Sequence, residues 1–183
     1  MSARTSRFWD RMAQRYAAQP IADEAAYETK LEVTQGYLKP HMEVLEFGCG
    51  TGSTALRHAP YVRHIRAIDF SGRMLDIARA KARAQGVANV TFEQADIGPL
   101  AIEDSSLDVV LGLSILHLLD NRDEVIAKVH RSLRPGGLFV SSTTCIGDDM
   151  KILGLVAPLG RALGLLPVIN VMTRDELRRA LTG

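Results

Sequence analysis

VLEFGCGTG, residues 44–52, begins as an apolar strand, turns acidic at Glu46, and ends with glycine at every second position: Gly48, Gly50 and Gly52. Glycine there permits left-handed backbone and lets a ligand approach the main chain with no Cβ in the way. Two common glycine-rich loops do not fit. A dinucleotide fingerprint GxGxxG starting at Gly48 needs glycine where Ser53 stands, and a phosphate loop GxxxxGK[ST] needs a lysine after Gly52, where Ser53 stands again. What remains is a GxGxG turn between a strand and a helix, with a ligand expected across it.

Working outward, short apolar runs alternate with helical patterns. The runs are 42–47, 64–70, 89–95, 107–114 and 137–144, each rich in Val, Ile, Leu or Phe and read as strands buried on both faces. Between them Ser71 can cap a helix with Met74, Leu75, Ala78 and Ala82 inward and Gly86 as its stop. A second starts near Asn121, buries Val125, Ile126, Val129 and Leu133, and stops at Arg134-Pro135-Gly136-Gly137. Two helices precede the first strand: Trp9, Met12, Ala13 and Tyr16 share a face of one, and Tyr27, Leu31, Thr34 and Leu38 a face of the other. Thr173 and Glu176 have capping-box spacing for a last helix that Gly183 ends. This order predicts one α/β domain, a doubly wound, Rossmann-like, mostly parallel sheet with helices on both faces.

Two further acids, Asp69 in AIDFS and Asp96 in EQADI, stand at the ends of the next two strands, so Glu46, Asp69 and Asp96 are expected in register along the sheet edge. A carboxylate at the end of the second strand can accept two hydrogen bonds from a ribose diol. VLEFGCGTG, AIDFS, QADI, DVVLGLSILHLL and LRPGGLFV, over residues 40–145, resemble in order and spacing the class I S-adenosylmethionine-dependent methyltransferases, most nearly their small-molecule, type 11-like branch. The resemblance implies S-adenosylmethionine as cofactor and S-adenosylhomocysteine as product. It implies that Gly48, Gly50 and Gly52 pass beneath the methionine part and that Glu46 holds its ammonium. Asp69 would bind the ribose hydroxyls, Phe70 and Met74 would pack near ribose and adenine, and Asp96 with the Ile97 backbone would read the adenine edge. Leu113 and Ser114 would lie beside the methionine portion. An acidic lining suits a ligand carrying ammonium and sulfonium charges better than a pyrophosphate.

The acceptor is less determined. Displacement at a sulfonium methyl needs alignment first, and a base only if the nucleophile starts protonated. His117 in SILHLLD is a candidate to touch substrate or take a proton, against the plainer reading of a packing histidine; Tyr16 is a second candidate. Trp9 and Tyr16 can form a lid, as the N-terminal helix does in similar methyltransferases, while Thr143 and Cys145 can face the pocket. An Asn- or Asp-Pro-Pro-aromatic motif, typical of relatives that methylate base or glutamine amino groups, is replaced by LSILHLL. Neither Cys49 nor Cys145 has the Pro-Cys setting of cytosine-ring methylation, which disfavours a nucleic-acid base.

Composition agrees with a small-molecule partner. The 183 residues are 46 % hydrophobic and carry 22 Lys and Arg against 21 Asp and Glu, no excess that would favour nucleic acid. Two distant cysteines give no disulfide framework or metal spacing and fit a reducing, cytoplasmic compartment; the arginines at 4, 7, 11 and 15 precede no signal-peptide core, though they leave an organellar transit peptide as a lesser alternative. Residues 150–172 are the most apolar stretch, but Lys151, Pro158, Arg161 and Pro167 argue against a membrane span. They read as short packed helices, or as an apolar lid, a homodimer surface or a peripheral membrane contact. The expected layout is a helical lid over 1–40, a cofactor core over 41–145, an apolar insertion over 146–172 and a last helix over 173–183. The family's closing antiparallel hairpin is not seen in the sequence, so the chain is either cut short or a trimmed domain. A non-catalytic cofactor-binding module or assembly subunit and a nicotinamide-dependent oxidoreductase are the competing readings.

Overall fold

The computed structural model describes residues 3–143 together with 175, 176, 178 and 179. In chain order they form α1 (Ala3–Ala18), α2 (Glu24–Gln35), β1 (Glu43–Phe47), α3 (Ser53–His58), β2 (His64–Asp69), α4 (Gly72–Gln85), β3 (Val90–Gln94), β4 (Leu107–Leu113), α5 (Arg122–Ser132) and β5 (Leu133–Ser142). The strands pair in the order β3-β2-β1-β4-β5, every pair parallel. The chain walks one way from β1 to β3 and then crosses to β4 on the other side of β1. That reversal opens a crevice beyond the carboxyl ends of β1 and β4, where open α/β sheets bind ligands.

Alternation along the strands builds two cores. Val44, Ile65, Ala67, Val109 and Leu111 pack with Leu75 and Ala78 of α4 on one face; Leu45, Phe47, Ile68 and Val110 pack with Val125 and Val129 of α5 on the other. The doubly wound parallel fold is as the sequence predicts, and so is the inward stripe of α4; in α5 Val125 and Val129 are inward, while Ile126 is half-buried and Leu133 already belongs to β5. The caps agree too. Ser71 accepts a hydrogen bond from the Met74 amide at 3.2 Å, and Gly86 ends α4 at φ +67°.

Three details differ. Only β1, β2 and β4 are buried on both faces; β3 and β5 are the outer strands among the described residues and alternate with exposed or half-buried positions. The turn at Arg134–Gly137 does not separate α5 from β5. Leu133 already pairs with Leu107, and the ladder resumes at Val109 with Leu138, so these residues bulge from a strand that has begun. β4 ends at Leu113, because Ser114 enters the left-handed region at φ +54° while its amide donates to the Ser142 carbonyl at 2.6 Å. Asp175, Glu176, Arg178 and Arg179 are helical, whereas the expected cap at Thr173, the stop at Gly183, Cys145 and the stretch 146–172 lie outside the described residues. Among the described residues no helix is long and apolar enough to cross a membrane.

Candidate active site

All three glycines of the turn have positive φ, +67° at Gly48, +54° at Gly50 and +74° at Gly52, but for different physical reasons. A Cβ on Gly48 would lie 2.6 Å from Ile115 Cγ1, and one on Gly52 would lie 2.8 Å from both Ala78 Cβ and Phe92 Cε1. Those two glycines make room for the protein's own side chains. Gly50 is different: its nearest neighbour would be Tyr16 Cε1 at 3.9 Å. A side chain there would only touch Tyr16 at ordinary contact distance, so the backbone at Gly50 stays bare towards the cleft that it lines with Tyr16. Cys49, between them, is a buried free thiol whose pKa burial and then Glu46 and Asp69 push up, which leaves it an inert packing residue.

The three acids are not level. Glu46 pairs with Ala67, two residues short of Asp69, and Asp69 pairs with Gln94, two residues short of Asp96. They form a staircase, each step about 6–7 Å along the strand direction. Asp69 sits on the middle step and ties the site together. One carboxylate oxygen accepts the Gly50 amide at 2.9 Å and the other the Ser71 amide at 2.8 Å. Burial raises its pKa while those amides oppose the rise. Glu46, the lowest step, is buried and its Oε2 has no hydrogen-bond partner. Burial first, then Asp69, pushes its pKa up to about 8, partly offset by Lys30 of α2. An orphaned buried carboxylate is costly and marks a place for a cationic group.

α1 roofs the turn. Asp10 accepts from the Ser71 hydroxyl at 2.6 Å and the Arg73 amide at 3.2 Å, so it joins the N-terminal cap of α4, and Ser6 donates to the Phe70 carbonyl at 3.4 Å. This clasp sets Trp9 and Tyr16 edge to face over the opening, 6.1 Å between ring centroids. The Tyr16 pKa is raised by burial and by Asp69. Trp9 Nε1 is buried without an acceptor.

Beneath that roof lies a narrow cleft of about 70 Å3. Of the residues singled out from the sequence, Trp9, Tyr16, Gly48, Gly50, Asp69, Phe70, Met74, Leu113 and Ser114 line it, joined by Ile115 and Leu118. A connecting pocket beyond Phe70 is lined by Asp96 and Ile97, with Phe47, Ile68 and Leu119 as its apolar walls. Gly52 shapes the turn without lining either space, and Glu46 is buried and lines neither. His117 stands apart. Its Nδ1 is 3.1 Å from Thr143 Oγ1, burial lowers its pKa, and it is absent from both linings. Among the described residues no group of His, Cys, Asp and Glu could hold a metal ion.

Sequence reading missed Asp10, Lys30 and the apolar pair Ile115 and Leu118. Asp10 looks like one more charge on an exposed helix face. Its importance comes from a contact 61 residues away.

The family model for a methyltransferase domain matches residues 44–137, just over half of the chain and all of the staircase and turn. The chain belongs to this methyltransferase family. It is a class I, S-adenosylmethionine-dependent methyltransferase domain, and S-adenosylmethionine is its cofactor. A demethylmenaquinone methyltransferase of Leptospira interrogans is 36 % identical over 106 residues, 55 % of this chain and 42 % of that protein. The methyltransferase domain thus spans less than half the length of this curated relative. The solved structure of YcgJ from Bacillus subtilis superposes with a TM-score of 0.72 at 24 % identity, covering 85 % of this chain and 67 % of that one. An S-adenosylmethionine-dependent methyltransferase structure from Mesorhizobium loti gives 0.57 at 30 % identity over 66 % of this chain and 55 % of that one.

Proposed function

We propose that the chain transfers the methyl group of S-adenosylmethionine to a small, largely apolar organic molecule. The observation that carries this is the buried Glu46 carboxylate, whose Oε2 has no hydrogen-bond partner, a cation-seeking group two residues before the glycine turn that lines the cleft. When bound, the cofactor supplies an electrophilic methyl on a sulfonium. Glu46 takes its ammonium, Gly48 and Gly50 pass beneath its methionine part, and Gly52 holds the turn. Asp69 takes the ribose hydroxyls with lone pairs its two amide donors leave over, with Phe70 and Met74 alongside. Asp96 and the Ile97 backbone receive the adenine in the second pocket, and Leu113 with Ser114 borders the methionine end.

Trp9, Ile115, Leu113 and Leu118 give the cleft an apolar wall that excludes water and favours a hydrophobic acceptor. The name of the Leptospira relative points the same way, towards a quinone-like ring. Within this reading α1 is a lid, and Tyr16 stands closer to the acceptor than His117, which acts as a packing residue. The cysteine usage supports a cytoplasmic setting.

The test is calorimetric titration with S-adenosylmethionine and S-adenosylhomocysteine, with NAD as control, on the chain and on Asp69→Ala. Binding of both, weakened about a hundredfold or more by loss of two charge-assisted bonds, supports the reading. Binding of NAD in their place overturns it. Binding with no turnover on any quinone or phenolic acceptor favours the non-catalytic alternative.

A further inference from the structure

The loop after β3, residues 95–100, carries Asp96 and Ile97 into the second pocket, yet belongs to no helix or strand. Pro99 has no amide to offer; the Ala95 amide donates to the Asp69 carbonyl at 3.0 Å, the Gly98 amide to Asp96 Oδ1 at 3.1 Å and the Leu100 amide to the Asp96 carbonyl at 3.2 Å. A further restraint comes from α5. Lys128 Nζ donates to the carbonyls of Ile97 at 3.1 Å, Leu100 at 3.0 Å and Gly98 between them. An ammonium has three N–H bonds, and here all three meet main-chain oxygens of one short loop. Charge-assisted bonds to three convergent carbonyls leave the loop one conformation.

We infer that Lys128 is a positioning residue for adenine recognition, setting from the far side of the loop the orientation in which Asp96 and the Ile97 backbone meet the base. The inference rests on the reading of Asp96 and Ile97 as the adenine edge. It assigns to Lys128 no contact with cofactor or substrate. Its consequence is selectivity: a loop held in one conformation distinguishes an amine from a carbonyl oxygen at the base edge, and a loop free to reorient does not.

The experiment compares binding of S-adenosylhomocysteine with that of its deaminated counterpart, in which the adenine amine is a carbonyl oxygen. It uses the full chain and the variants Lys128→Met, Lys128→Gln and Asp96→Ala, each checked for folding by thermal melting. The unsubstituted chain is expected to prefer the amine by about tenfold or more, and Lys128→Met to bring the ratio towards one. A general loss of structure would weaken both ligands alike and keep the ratio. Lys128→Gln, which keeps one donor group, is expected to fall between and serves alone if the methionine variant does not fold. If Asp96→Ala abolishes the preference but neither Lys128 variant moves it, the inference is overturned while the adenine reading stands. If the unsubstituted chain shows no preference, the adenine reading fails and the inference with it.

Discussion

Glu46 and His58 are both buried polar groups with unpartnered atoms, and they lie in different surroundings. Glu46 lies on β1 two residues before the glycine turn, with Asp69 one step along the sheet edge. His58 ends α3 inside the helix layer, flanked by Ala55, Leu56 and Ala59 of the first core. Burial removes charge from each, raising the carboxyl to about 8 and lowering the imidazole to about 4. An orphaned group is therefore not a site by itself. On the function proposed above Glu46 is one because it stands on β1 two residues before the glycine turn that lines the cleft, while His58 is enclosed and acts only on stability.

The same division runs through the glycine turn, and it gives the largest expected effect. Gly48→Ala drives a Cβ into Ile115 at positive φ, and overpacking together with left-handed strain should destabilise the fold by about 3 kcal/mol. Gly50→Ala meets only the edge of Tyr16, so it should cost about 1 kcal/mol while lowering S-adenosylhomocysteine affinity on the order of tenfold or more. Urea unfolding and calorimetry on the two variants separate the losses. Equal stability losses, or unchanged binding by Gly50→Ala, would erase the distinction between glycines that fit the protein and the one that fits the ligand.

The next effect belongs to Glu46. Glu46→Gln keeps the shape and removes the charge, so cofactor affinity at pH 8 should fall by about tenfold to a hundredfold, whereas His58→Leu should leave it unchanged. Because the carboxyl titrates near 8 and must be ionised to pair with an ammonium, affinity should rise about fivefold from pH 7 to pH 8. Titrations in buffers of different ionisation enthalpy should show a proton released on binding, absent in Glu46→Gln. A flat pH profile would mean that Glu46 is a structural orphan like His58.

What the sequence disclosed follows the same physics. The turn is legible because its conformation is written in its own residues: glycine takes φ of +67°, +54° and +74° without the strain another residue would bear. Strand and helix periodicity disclosed the sheet, the inward stripe of α4, and Val125 and Val129 of α5. The strand-end acids were visible as residue types, but their stepped heights depend on strand register, which appears only once β1, β2 and β3 are paired. The clasp of Asp10 on Ser71 and the grip of Lys128 on the loop after β3 left no mark at all. Each joins an ordinary helix-face charge to main chain or hydroxyl groups 28 to 63 residues away, and neither has a spacing rule. His117, conspicuous as a histidine just beyond the fourth strand, faces Thr143.

The smallest effect sharpens the contrast through stability alone. For Glu46 the folded pKa, about 8, lies above its ordinary 4.5, so between those values the folded state holds the extra proton and its contribution falls as pH rises. For His58 the folded pKa, about 4, lies below its ordinary 6.5, so the unfolded state holds the extra proton and the contribution rises with pH across that window. The two slopes oppose each other from pH 4.5 to 6.5, and above 6.5 only Glu46 acts. Relative to Glu46→Gln, the unsubstituted chain without cofactor should therefore lose about 1 kcal/mol between pH 6.5 and 7.5, read by urea unfolding at each pH. Relative to His58→Leu it should gain stability with rising pH only below 6.5. Saturating S-adenosylhomocysteine should remove the Glu46 slope by fixing its charge and leave the His58 slope untouched, because only Glu46 is proposed to pair with the cofactor.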